Sequence, residues 1–122
     1  MMTENQPRAA IYVRVSSTQQ EQEHGALGTQ EESCRRHATA HGYQVAEVYR
    51  EVRSGGSLGE RPQFTALREA VRRHELDAVI AYSPDRLARD SAQLDAVVSE
   101  ADEAEVAVQF VTDAGRSGGV AR

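Results

Sequence analysis

An arginine and a serine two residues apart, Arg14 and Ser16, stand in the stretch Ile11-Tyr12-Val13-Arg14-Val15-Ser16-Ser17. In an extended chain alternate side chains share a face, so Tyr12, Arg14 and Ser16 point one way and Ile11, Val13 and Val15 the other. Two residues of strand span about 6.5 Å, which lets a guanidinium and a hydroxyl hold two oxygens of one phosphate. Two further polar groups follow along the chain. One is the segment from Ser54 to Arg61, whose glycines permit close backbone approach to a ligand. The other is Asp85, Arg86 and Arg89, just after an apolar run. A hydroxyl, a glycine-rich loop and several arginines brought together make an anion site, most simply one for phosphate.

Taken singly, each residue has a plainer explanation. Ser16, Ser17 and Thr18 would serve to turn the chain after a strand. Asp85 would cap a short helix and pair with Arg89 four residues on, worth about 0.2–0.5 kcal/mol. Gln30 is an ordinary first-turn residue, Ser54 a loop serine, and Arg61 a surface residue at a helix start. Only convergence raises them above these roles, and convergence depends on the elements that carry them.

Those elements alternate. A first strand ends at Ser16, and a polar segment flanked by Gly25 and Gly28 follows as a loop. The sequence then predicts a helix from Thr29, capped by its hydroxyl with Glu32 closing a capping box, running to His41 and stopping at Gly42. Gln44 to Tyr49 reads as the second strand. Pro62 opens the next helix, with Phe64, Leu67 and Val71 as its apolar stripe. Ala78 to Tyr82 has the apolar run of a strand covered on both faces, Leu94, Val97 and Val98 mark a third helix, and Val106 to Val111 a fourth strand. Strands and helices in this rhythm predict a three-layer α/β domain with a mainly parallel sheet of four to five strands flanked by helices. In such sheets ligands bind beyond the carboxyl ends of the strands, where all three polar groups fall.

Composition bounds the partners. At 122 residues the chain is one domain, expected over residues 9–111 between a disordered N-terminal segment, 1–8, and a flexible glycine-rich tail, 112–122. No apolar run is long enough to span a bilayer and no hydrophobic signal segment is present, so a cytoplasmic protein is expected. The net charge of −5 argues against a sequence-independent grip on nucleic acid by this chain itself. Every basic residue is arginine, the better fit to bidentate phosphate contacts, although genomic composition explains the bias equally well. Cys34 is alone, which excludes an internal disulfide and a cysteine-cluster zinc site. His37 and His41 lie four apart on one helix face with no acidic third ligand evident, so no metal and no cofactor are expected. There is no Gly-Lys-Ser/Thr of a P-loop and no strand leading into Gly-x-Gly-x-x-Gly.

Three segments then carry a resemblance. Tyr12-Val13-Arg14-Val15-Ser16, Ser54-Gly55 with Arg61-Pro62-Gln63-Phe64, and Asp85-Arg86-Leu87-Ala88-Arg89-Asp90 resemble, in order and spacing, the catalytic domain of serine site-specific recombinases, the resolvase and invertase family. The wide interval from Ser16 to Gln30 and the Arg-Pro-x-Phe segment are most similar to the large serine integrases. The resemblance implies metal-independent DNA cleavage and religation, with Ser16 as nucleophile forming a 5′-phosphoserine intermediate. It implies that Arg14, Arg61, Arg86 and Arg89 stabilise the transition state, that Asp85 handles a proton, and that Gln20, Gln30, Glu51 and Ser54 support the site. What deprotonates Ser16 stays open.

Glu51 departs from the aspartate more usual in the resolvases. Family members also continue into a long dimer helix and a DNA-binding region. The resemblance therefore implies specific DNA sites and dimer and tetramer assembly as partners of a full-length protein, with no membrane. It also implies a domain that folds alone but does not recombine alone. The competing expectation, from a different class, is a non-enzymatic phosphate-binding or regulatory module of flavodoxin-like topology.

Overall fold

The computed structural model describes residues 6–15, 26–52, 62–88 and 90–112. Among these residues four strands, β1 (Arg8–Val15), β2 (Gln44–Val52), β3 (Ala78–Ala81) and β4 (Ala107–Phe110), form one sheet in the order β2-β1-β3-β4. All three pairings are parallel. β1 begins at Arg8, whose carbonyl accepts from Asp77 N while its own amide donates to the Asp77 carboxylate at 2.7 Å.

Among the described residues four helices cover the sheet: α1 (Ala26–Ala40), α2 (Pro62–Arg72), the single turn α3 (Pro84–Leu87) and α4 (Ser91–Glu103). Side-chain alternation in β1 divides the core in two. Ala10 and Tyr12 face α2 and α4, packing with Phe64, Leu67, Val71 and Val97. Ile11 and Val13 face α1 and meet Cys34 and Ala38. β3 is buried at all four positions, as its unbroken apolar run predicts for a strand covered on both faces. The result is the expected three-layer parallel architecture.

The start of α1 corrects the sequence expectation. The helix begins at Ala26, so Gly28 and Thr29 lie inside it rather than before it, and the Thr29–Glu32 capping box does not form. Ala and Leu favour helix strongly enough to carry one glycine, whose cost is about 1 kcal/mol. Nothing lies within 4 Å of where a Gly28 side chain would begin. Glu32 instead pairs with Arg36 at 3.0 Å. The other end behaves as read: α1 stops at Ala40, and Gly42 at φ +82° turns the chain, with Tyr43 N donating back to Ala38 O at 2.9 Å.

One irregularity was not visible in the sequence. The β1–β2 register shifts between Ala9 and Ala10, so that Ala9 faces Val45 but Ala10 faces Glu47. Ala46 and Tyr49, three apart, consequently pack on the α2 side, and Val45 and Val48, also three apart, on the α1 side. A bulge of this kind reverses which face every later side chain occupies. It decides the orientation of Glu51.

Candidate active site

β3 ends opposite Tyr12, so β1 runs past its neighbour and exposes main-chain groups at Arg14. Gln30 of α1 fills the gap. Its Oε1 accepts from Arg14 N at 3.1 Å and its Nε2 donates to Arg14 O at 2.9 Å, one side-chain amide standing where a peptide of a longer β3 would stand. Gln30 is 4% exposed, which makes this a structural bond of the interior rather than a first-turn surface contact.

The Arg14 side chain, also buried, reaches the turn that follows β3. Its Nη2 donates to Asp85 O at 2.7 Å and its Nε to Arg86 O at 3.4 Å. Arg86 reciprocates through Nη1 to Arg14 O at 3.3 Å. The end of β1 and the turn α3 are thus laced together by guanidinium–carbonyl bonds in both directions. Asp85 does not cap α3. Ser83 occupies the N-cap position, and its hydroxyl donates to Asp85 Oδ1 at 2.6 Å, orienting an otherwise exposed carboxylate.

Glu51 lies one strand away from Arg14, its partner in the β1–β2 register, and only 2% exposed. Its Oε1 accepts from the Tyr12 hydroxyl and from Phe64 N, each at 2.9 Å, and its Oε2 from Gln63 N at 3.2 Å. The carboxylate therefore caps the first turn of α2, satisfying amides that a helix leaves without internal partners.

Of the residues singled out in the sequence, the structure brings Arg14, Asp85 and Arg86 into one hydrogen-bonded group, with Gln30 and Glu51 flanking it through the backbone of β1 and through α2. Ser16, Gln20, Ser54, Arg61 and Arg89 lie outside the described residues. Two residues of the site were not singled out, Tyr12 and Ser83. Tyr12 was within reach of strand alternation, since it shares the Arg14 face. Ser83 carried the usual signal of an N-cap, a serine just before a helical Pro-Asp.

Away from this group the titratable residues are structural. Burial pushes the Cys34 thiol up to about 12, which removes it as a nucleophile. His37 and His41 stack at 4.1 Å, and His37 Nε2 donates to Gln109 Oε1 at 2.8 Å, tying α1 to β4. No cluster of three metal-ligating side chains exists among the described residues, and no helix among them is long and apolar enough to cross a membrane.

Known proteins share this fold. The family model described as "Resolvase, N terminal domain" matches residues 9–119. The catalytic domain of ISC1926 TnpA, an IS607-like serine recombinase, superimposes with a TM-score of 0.76 at 31% identity, covering 85% of this chain and 70% of that one. The N-terminal catalytic domain of TP901-1 integrase gives 0.77 at 28% identity, covering 85% and 77%. A putative DNA recombinase of Bacillus subtilis (strain 168) is 38% identical over 80 residues, which is 66% of this chain but only 15% of that protein's length. The chain belongs to the resolvase N-terminal domain family and has the fold of the serine recombinase catalytic domains.

Proposed function

We propose that this domain cleaves and rejoins DNA at specific sites through a covalent phosphoserine, without a metal or cofactor. The Ser16 hydroxyl oxygen attacks the scissile phosphorus as its proton passes to solvent water. The phosphorus–O3′ bond breaks, Asp85 supplies the proton that leaves a free 3′ hydroxyl, and the 5′ end stays esterified to Ser16. Attack by the 3′ hydroxyl of a recombining strand reverses the step, so the phosphodiester energy is conserved. Arg14, Arg61, Arg86 and Arg89 stabilise charge on the nonbridging oxygens, the task that metal ions perform in other phosphoryl transfers. Gln20, Gln30, Glu51 and Ser54 hold these groups in place.

The observation that supports this best is the reciprocal lacing of Arg14 to the Asp85–Arg86 turn, two residues before Ser16. It preorganises two arginines and a carboxylate at the carboxyl end of the central strand before any substrate arrives. Site recognition and assembly into dimers and tetramers are assigned to regions of the full-length recombinase outside this domain, acting in the cytoplasm. The test is a recombinase carrying this domain, incubated with its DNA sites and denatured. A protein–DNA adduct that forms with the wild type and not with Ser16→Ala supports the proposal; an equal adduct in both refutes it.

A further inference from the structure

Two kinds of bond hold Asp85, and they hold different parts of it. Arg14 donates to the carbonyls of Asp85 and Arg86, and Arg86 N donates to Ser83 O at 3.0 Å, so these bonds act on the backbone of α3. The side chain is left to Ser83. Its hydroxyl donates to Asp85 Oδ1 at 2.6 Å, and among the described residues this is the one bond that the carboxylate takes.

The serine forgoes its ordinary role to make it. Ser83 stands at the N-cap of α3 in extended backbone (φ −153°, ψ 164°), where a serine oxygen usually accepts from an amide of the first turn, yet its side chain makes no capping bond. Ser83 is 8% exposed, whereas Asp85 lies at the surface. The buried partner is therefore the anchor, and what it restricts is the rotamer of the exposed one. Occupying Oδ1 also leaves Oδ2 as the oxygen with room for a transferable proton.

We propose that Ser83 is a positioning residue for proton transfer, holding Asp85 Oδ1 so that Oδ2 carries the proton delivered to the leaving 3′ oxygen. This rests on the assignment of Asp85 as proton donor given above. As the phosphorus–O3′ bond breaks, the proton passes from Oδ2 to O3′, the carboxyl becomes a carboxylate, and Ser83 keeps its own proton throughout. The hydroxyl bond strengthens across the step, because an ionised acceptor takes the shorter and stronger hydrogen bond. Help that grows as charge develops speeds the chemical step rather than tightening the hold on DNA.

The experiment compares Ser83→Ala, Ser83→Thr and Asp85→Asn in a recombinase carrying this domain. Each is given DNA with the ordinary scissile linkage and DNA with sulfur in place of the scissile O3′, whose thiolate departs without needing a proton. On ordinary DNA, Ser83→Ala should slow cleavage by about 10- to 100-fold with the DNA concentration at half-saturation unchanged, the signature of a misplaced proton donor. Ser83→Thr should stay within about threefold of the wild type, since threonine keeps the hydroxyl and suits extended backbone. On sulfur-bridged DNA, Ser83→Ala should match the wild type within about twofold. Amide exchange at Arg86 and Ala88 should stay slow in Ser83→Ala. Equal losses on both substrates, no loss on ordinary DNA, a Ser83→Thr protein as slow as Ser83→Ala, or quickened exchange in the α3 turn would overturn the inference. If Asp85→Asn cleaves ordinary DNA as fast as the wild type, or is slowed equally on both substrates, the assignment of Asp85 falls, and the inference falls with it for that separate and recognisable reason.

Discussion

Arg14 and Asp85 are joined through the main chain and not through their charges: the guanidinium donates to the Asp85 carbonyl oxygen at 2.7 Å, while the Asp85 carboxylate takes the Ser83 hydroxyl at 2.6 Å. The arginine thereby shapes the turn without neutralising the acid. Held by the Ser83 hydroxyl, the carboxylate is aimed and lies outside an ion pair with Arg14.

Arg14→Lys should therefore damage geometry more than charge. A lysine keeps the cation but cannot fork to the carbonyls of both Asp85 and Arg86. Amide exchange at Arg86 and Ala88, whose N–H groups close the α3 turn, should accelerate by about tenfold, and covalent adduct formation should fall by about 100-fold. Unchanged exchange with full activity would show that the lacing is incidental.

Gln30→Ala removes the side-chain acceptor of Arg14 N and one of the two side-chain donors to Arg14 O in a buried position. Losing these two buried bonds should cost about 1–3 kcal/mol in urea unfolding. Gln30→Glu should recover little of this at neutral pH, because a carboxylate accepts from Arg14 N but faces Arg14 O with no donor. Equal stability of Gln30→Ala and wild type would mean that water replaces the amide at no cost.

How much of this the sequence contained depends on the distance between partners. The strands, α2 and the buried β3 follow from period and composition, and Arg14, Asp85 and Arg86 from the rule that ligands gather beyond parallel strands. α1 begins three residues before the Thr29 start that the sequence predicts, because the helical preference of Ala26 and Leu27 outweighs Gly28 and the Thr29 cap signal. The role of Gln30 as a substitute peptide was hidden, since it depends on β3 stopping at Ala81 while β1 continues. Glu51 was legible as a polar residue near the site but not as the cap of α2. That role needs the bulge at Ala9–Ala10, which has no glycine or proline to announce it.

Acid should loosen the contact between α2 and α4. Hydrogen bonding from Arg68, aided by the nearby charges of Arg68 and Arg72, holds the Glu100 carboxyl below its usual value despite partial burial. Arg50 and Arg35 do the same for Glu31 between α1 and β2. A carboxylate with a lowered folded-state pKa binds fewer protons than in the unfolded chain. Its contribution is therefore complete above the ordinary carboxylate range, about pH 4.3, and is lost as pH falls through and below it. Thermal melts from pH 7 to pH 3 should decline more steeply for the wild type than for Glu100→Gln, which at pH 7 should be less stable by up to about 1 kcal/mol. Parallel decline in both would remove Glu100 from the acid response.

Strand alternation, read from the sequence alone, assigns Ser16 to the Arg14 face and Ser17 to the opposite one. Ser16→Ala should abolish the covalent adduct while Ser17→Ala retains part of it, and the reverse pattern would exclude Ser16 as nucleophile.

The chemistry of the linkage offers the sharpest test. A recombinase carrying this domain, trapped on DNA nicked near the crossover so that religation is blocked and then digested for peptide mass spectrometry, should yield one modified peptide. It should carry a 5′-nucleotide esterified to Ser16, with a free 3′ hydroxyl on the other DNA end, in equal yield with and without a chelator of divalent metals. A 3′-linked nucleotide, a modification on any residue other than Ser16, or loss of the adduct on chelation would contradict the mechanism proposed for this domain.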